Sequence, residues 1–221
     1  MTQELVITAD GSTSIFIAAL DEHYHSVHGA IQESKHVFIQ AGLNKKLNLQ
    51  PEISILEIGF GTGLNALLTC LESEKYQQKI VYTAIEKFPL PENIYTQLNY
   101  CTLLETNQCD DLFKKIHSSD WQIEDNISAY FNLTKYRQNI EDCAFSEQFD
   151  IIYFDAFAPS AQPELWTEII FSSMYNSLKK DGILVTYCAK GEVKRTMKKA
   201  GFKVEALPGP IGKREMTRAI K

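Results

Sequence analysis

The 221-residue sequence has no run approaching the ~18–20 apolar residues of a membrane-spanning helix, so no membrane association is expected. Its start, Met1 to Asp10, has no basic n-region and no apolar h-region, and is not read as a secretory signal. Cysteine is sparse. Cys70, Cys101, Cys109, Cys143 and Cys188 are scattered, odd in number and never in C-x-x-C spacing. That argues against a disulfide framework or a structural zinc site, and for a reducing cytoplasm; no metal is expected. Internal repeats, low-complexity tracts and long linkers are also missing. What remains is ordinary for one globular domain: 44% apolar residues and a length suited to a single core with an N-terminal extension. Nothing in the sequence fixes an oligomeric state.

Net charge is −6, which does not announce a nucleic-acid binder, but the charge is unevenly spread. Residues 190–221 hold ten Lys/Arg against Glu192, Glu205 and Glu215, a net of +7, while residues 1–189 carry −13. A basic C-terminal face on an acidic body can meet a polyanion. The plain alternative is a solvated helix face beside an edge strand guarded by lysines.

Val6–Thr8 and Ser14–Ile17, joined through Asp10-Gly11, read as a hairpin. Apolar positions 30, 31, 37, 38 and 41 predict a helix over 29–41. After Pro51 the texture changes to alternating strands and helices. Strands are predicted at 53–58, 80–85, 127–131, 149–154, 182–187, 203–207 and 216–220, and helices at 64–71, 163–178 and 193–200. Residues 91–126 read as polar and helical. The alternation implies a mostly parallel sheet with helices on both faces. The last two strands are too close in sequence for a parallel crossover, so they form an antiparallel hairpin. That combination is an α/β, Rossmann-like architecture of the class I S-adenosylmethionine-dependent methyltransferase type. The expected division is an N-terminal extension (1–50) and a methyltransferase domain (51–221).

Three segments carry the chemistry. Leu56-Glu57-Ile58-Gly59-Phe60-Gly61-Thr62-Gly63-Leu64-Asn65 is a strand, a glycine-rich turn and a helix. Its glycines let backbone approach a ligand closely. The spacing is G-x-G-x-G rather than the G-x-G-x-x-G of dinucleotide enzymes, and an acid stands two residues before the first glycine. S-adenosylmethionine has no phosphate, so Glu57 is tolerable there and can face the cofactor's ammonium or an ordered water. Glu86, ending the next strand and followed by Lys87, is placed to accept the ribose hydroxyls. Asp155 ends a central strand beside Phe157 and Pro159, where a carboxylate can hold an amine acceptor and guide its proton away. The plain alternatives are a structural turn, an exposed glutamate and a helix cap.

Taken together, Glu57–Asn65, Ile85–Pro89, Phe154–Pro159, Pro163–Trp166, Ala200–Phe202 and Gly212–Met216 resemble the methyltransferase domain of the MnmC family, which makes tRNA 5-methylaminomethyl-2-thiouridine. Tyr24–Ser26, Gly29-Ala30 and Glu33–Ile39 are similar to that family's leader, so the likeness spans nearly the whole chain. The resemblance implies methyl transfer from S-adenosyl-L-methionine to the aminomethyl group of a wobble uridine in tRNA. It implies that Gly59, Gly61, Gly63 and Glu86 bind the cofactor and that Asp155 sits beside the acceptor amine; Glu57, Phe60, Thr62, Asn65, Lys87, Asp155 and Phe157 complete the expected cofactor site. Substrate contacts are expected from Tyr24, Glu33, His36, Pro159, Lys194, Arg195, Lys213 and Arg214. The stand-alone form of the domain is expected, without the family's FAD-dependent oxidoreductase half. Relatives often carry Gly-Asp after the third strand, where the acid contacts adenine; here Asn132 is the expected substitute.

Other readings stay open. An aminopropyltransferase-like enzyme would share the fold, though its usual G-G-G-x-G turn is not matched. A dinucleotide oxidoreductase is disfavoured by the glycine spacing. A non-catalytic tRNA-binding module would not need Glu86 and Asp155. An Asn-Pro-Pro-Tyr amino-methylating motif does not occur.

Overall fold

The computed structural model describes residues 3–221. Strands β1 (Gln3–Ile7), β2 (Thr13–Ile17) and β3 (Glu22–His23) form a small antiparallel sheet. Helix α1 (Ala30–Ser34) runs into a wider π-helical turn, Lys35–Gln40, so the predicted 29–41 helix is present with a changed pitch. The main sheet holds β4 (Glu52–Ile58), β5 (Lys79–Ile85), β6 (Glu124–Ser128), β7 (Phe131–Tyr136), β8 (Phe149–Phe154), β9 (Leu178–Thr186), β10 (Lys203–Pro208) and β11 (Glu215–Ile220). The helices are α2 (Leu64–Tyr76), α3 (Glu92–Tyr95), α4 (Tyr100–Leu104), α5 (Cys109–Ser118), α6 (Glu168–Ser177) and α7 (Gly191–Lys199).

The strand order is β10-β11-β9-β8-β4-β5-β7-β6. β4, β5, β7, β8 and β9 run parallel. β11 is antiparallel to both β9 and β10, as the short 209–214 connection requires. Every residue of β8 is buried, because helices cover both faces of a central parallel strand. The order reverses between β4 and β8, and the amide of Asp155 donates to the carbonyl of Ile58 at 2.9 Å across that junction. Such a switch point opens a crevice beyond the carboxyl ends of its strands.

The N-terminal segment is built into this core. Ile15, Val37, Phe38 and Leu43 belong to one buried cluster with Ile53, Ile55 and Tyr153, and the rings of Phe38 and Tyr153 lie 5.1 Å apart.

Four expectations change. The strand predicted at 127–131 straddles the turn of the antiparallel β6–β7 pair. Phe131, Leu133 and Lys135 all point inward on β7, and a lysine at an inward position hides the alternation. Lys135 is buried, and its ammonium donates to the Ile116 and His117 carbonyls, both at 2.8 Å, at the end of α5. The predicted 163–178 helix is two pieces: a 3₁₀ turn over Pro163–Trp166, then α6, restarted by Thr167, whose side chain accepts from Ile170 N. The strand predicted at 182–187 begins earlier, at Leu178. Cys101 and Cys109 form a disulfide, with Cα atoms 5.3 Å apart, across a turn in which Glu105 and Gln108 take positive φ. Sequence spacing does not reveal that turn, so the cysteine pattern does not carry the compartment argument. Among the described residues no helix is long and apolar enough to cross a membrane.

Candidate active site

A cavity of about 690 Å³ opens at the β4–β8 junction. Its floor is the glycine turn. Gly59, Gly61 and Gly63 all take positive φ, and a side chain at Gly59 would stand 2.5 Å from the Asp155 carbonyl oxygen. Phe60, Gly61, Thr62 and Asn65 line the cavity with Gly59. Gly63 caps α2 from below, close to His117, and is not on the wall.

Glu86 faces the cavity with its carboxylate fixed by backbone. Gly61 N donates to Oε2 at 3.0 Å and Phe88 N to Oε1 at 2.7 Å. Burial pushes its carboxyl up from the ordinary range, and these amides pull against that shift. Lys87 lies on the same wall.

Asp155 sits where β8 ends. Asn65 Nδ2 donates to Asp155 Oδ2 at 2.8 Å and to Glu57 Oε1 at 3.0 Å. Burial first, and the nearby Glu33 charge second, push the Asp155 carboxyl up to about 7, against the Asn65 hydrogen bond and Lys213. Glu57 is fully buried beneath the turn, and burial holds it well above the usual carboxylate range. It does not line the cavity, so its expected direct contact with a cofactor gives way to an indirect one through Asn65. Among the described residues, Glu57 Oε2 and Asn65 Oδ1 are buried without hydrogen-bond partners.

A further wall comes from the N-terminal segment. Tyr24 packs edge-on to Phe157 at 5.1 Å, and its ring would lie 3.0 Å from a side chain at Gly61. Glu33 accepts from Ser26 N at 2.8 Å and from Lys213 Nζ at 2.6 Å. His36 does not reach the cavity. Its Nε2 bonds the Pro208 carbonyl at 2.9 Å, pinning the π-helical turn to β10. Pro159 lies just outside the lining. Lys194 pairs with Glu215 at 2.7 Å, while Arg195 and Arg214 are exposed on the surface. Lys213, expected to act alongside these three, instead points inward, because the β10–β11 connection folds over the mouth and Gly212 packs on His28.

Asn132 is far from the site. It is the second residue of β7, at the end away from the crevice, and bonds Asn126 and Glu124. The residues that follow β7, Gln138, Asn139, Ile140 and Glu141, line the cavity in its place. The sequence pattern also gives no sign of His117 and Tyr187. His117 Nε2 lies 3.1 Å from the Thr62 carbonyl, and burial lowers the ring to about 4, so a neutral imidazole donates there. It stacks on Tyr95 at 4.1 Å and braces the turn from behind. Tyr187 follows β9 and donates to the Ala156 carbonyl at 2.9 Å. Only its position past a strand end could have signalled it.

These groups fit S-adenosyl-L-methionine. The turn lines the cavity with backbone, Glu86 stands ready for a diol, and the unpartnered Oδ1 of Asn65 suits an ammonium.

A family model described as S-adenosyl-L-methionine-dependent methyltransferase matches residues 105–221. The tRNA 5-methylaminomethyl-2-thiouridine biosynthesis bifunctional protein MnmC of Leptospira interrogans is 32% identical over 211 residues, which cover 89% of this chain and 32% of that protein. The protein of the same name from Campylobacter hominis is 28% identical, covering 93% of this chain and 31% of that one. The chain thus spans about a third of the length of these relatives. The crystal structure of MNMC2 from Aquifex aeolicus superposes with a TM-score of 0.78 at 26% identity, covering 99% of this chain and 70% of that chain. Spermidine synthase from Thermotoga maritima shares the fold alone, with a TM-score of 0.56 at 14% identity. The glycine turn, the strand order and the match over 105–221 agree, and the chain belongs to the S-adenosyl-L-methionine-dependent methyltransferases.

Proposed function

We propose that this enzyme methylates the 5-aminomethyl group of a wobble uridine in tRNA, giving the 5-methylaminomethyl nucleoside, and that it works in the cytoplasm. The observation that carries this reading is Asp155: a cavity-facing carboxylate raised to about 7, held by Asn65 and walled by Tyr24, Phe157 and Tyr187. The MnmC relatives bear a name for this nucleoside, and the proposal extends it to this chain.

When bound, S-adenosyl-L-methionine supplies an electrophilic methyl group on a sulfonium. Gly59, Gly61, Asn65 and Glu86 would hold it, with Gln138–Glu141 beside its base. The task of the remaining residues is alignment and proton handling. An aminomethyl group is mostly ammonium at neutral pH and has no lone pair to attack with. Asp155, titrating near the ambient pH, accepts the ammonium proton and keeps the nitrogen directed into the site. The aromatic walls exclude water from this exchange. An exposed basic surface of Arg195, Lys198 and Lys199 on α7, with Arg214 beyond β10, is suited to RNA phosphates.

A second reading, alkylation of a free polyamine, draws on the acids Glu22 and Glu164 in the cavity wall. Incubating the enzyme and S-adenosyl-L-methionine with tRNA carrying 5-aminomethyluridine, or with spermidine, separates the two. Mass spectrometry of the nucleosides is expected to show a gain of one methyl on the aminomethyl nucleoside. Product from spermidine alone would overturn the tRNA reading.

A further inference from the structure

Lys213 is anomalous for its surroundings. Among the described residues the cavity wall carries six carboxylates but only two lysines, Lys87 and Lys213. Lys87 adjoins Glu86 at the cofactor end. Lys213 stands near Asp155, where the amine is proposed to sit, and its charge acts on that carboxyl. An ammonium beside an amine-binding carboxylate repels a cationic acceptor. A pocket that selected only for amines would gain nothing from it.

The side chain is nonetheless held firmly. Glu33 accepts from Nζ at 2.6 Å, and the Tyr187 ring centroid lies 4.0 Å away. Glu33 is itself buried and fixed by the Ser26 amide. Three segments distant in sequence therefore converge to place one ammonium. That ammonium has three N–H donors. Glu33 takes one, the Tyr187 face attracts another, and one is left for a ligand. The Lys213 side chain keeps 33% of its surface exposed, against 7% for Glu33, so its free side is toward the cavity.

We infer that Lys213 reads the acceptor base, donating to the ring carbonyl oxygen on the carbon next to the one that bears the aminomethyl group. The inference rests on the proposed function. In a 5-aminomethyluracil the amine and the 4-carbonyl sit on adjacent ring carbons. A site that holds the nitrogen on Asp155 therefore brings that oxygen alongside, and a donor from Lys213 suits it. Cytosine presents an amino donor at the same place, so donor would face donor. Enzymes that act on a base extruded from its stack read it by such edge contacts and aromatic walls.

The test uses anticodon stem-loops carrying either 5-aminomethyluridine or 5-aminomethylcytidine at the wobble position. Initial rates with labelled S-adenosyl-L-methionine give kcat/KM for the wild type and for Lys213→Met, Lys213→Arg and Glu33→Gln. The wild type is expected to favour uridine by roughly 10- to 100-fold, the range set by leaving a donor unpaired against the cytosine amino group. Lys213→Met should lose most of that preference through a higher KM for the uridine substrate, with cofactor affinity by calorimetry unchanged. Lys213→Arg keeps a donor and should keep part of the preference. If Lys213→Met does not fold, Glu33→Gln decides, because an unanchored Lys213 should lower the preference in the same direction. A folded Lys213→Met enzyme, or in its place Glu33→Gln, with the wild-type ratio would overturn this inference while leaving the tRNA reading intact. A wild type active on neither stem-loop would overturn both.

Discussion

Asn65 Nδ2 lies 2.8 Å from Asp155 Oδ2, so a side chain from the first turn of α2 orients the carboxylate that ends β8. The same nitrogen bonds Glu57, so strand, helix and neighbouring strand meet at one amide. Because Asn65 is buried, that carboxylate cannot swing away from the cavity without leaving a donor unpaired.

For Asp155→Asn, turnover should fall by ~10²-fold or more while cofactor affinity is retained, since both positioning and proton acceptance are lost. The wild-type rate should rise with pH through about 7 as Asp155 ionises. Stability carries the opposite sign. The folded carboxyl holds its proton above its unfolded range, so this site's contribution is full at acid pH and is lost as pH rises through about 7. At about pH 8 Asp155→Asn should therefore melt above the wild type, and the gap should close toward about pH 4. Single-turnover rates and melting scans across pH check both, and a flat wild-type pH–rate profile would contradict the proton-acceptor role.

Gly59→Ala places a methyl group 2.5 Å from the Asp155 carbonyl in a backbone of positive φ. The expected cost is about 1–3 kcal/mol of stability. Cofactor binding should fall as well, because the turn must shift. Urea unfolding with parallel calorimetry measures the two effects. Unchanged values of both would mean that the turn is looser than it stands.

The basic surface makes a prediction about salt. Reversing Arg195 and Lys198 to Glu should weaken tRNA binding and flatten the log–log salt dependence by roughly 0.7–0.9 for each phosphate that is no longer neutralised. Lys194, already paired with Glu215, should matter less. Fluorescence anisotropy at several salt concentrations reads the slope, and an unaltered slope would mean that α7 is only solvated.

Tyr24→Ala removes the aromatic wall between Gly61 and Phe157. Turnover on tRNA should fall, while the glycine turn keeps most of its cofactor affinity. A point substitution is the right probe here. Removing residues 1–40 would also strip Ile15, Val37 and Phe38 from the shared core and unfold the chain. Equal loss of cofactor affinity and turnover would show that Tyr24 belongs to the cofactor site instead.

Residue pattern alone determined the glycine turn, the strand ends that carry Glu86 and Asp155, the alternation of strands and helices and the closing hairpin. Each of these is local: a turn needs glycines in sequence, a buried strand needs a short apolar run, and the short 209–214 connection cannot make a parallel crossover. Tertiary structure decided what depends on which distant segments meet. Asn132 and Gln138 are close in sequence, yet they lie at opposite ends of β7, and only strand register shows which end faces the crevice. Lys135 reads as a surface residue until α5 places two carbonyls over its ammonium. Lys194, Lys213 and Arg214 look alike as charges near one terminus. The fold pairs one with Glu215, turns one into the cavity against Glu33 and leaves one in solvent, because a cation settles according to the carboxylates and solvent its backbone brings within reach.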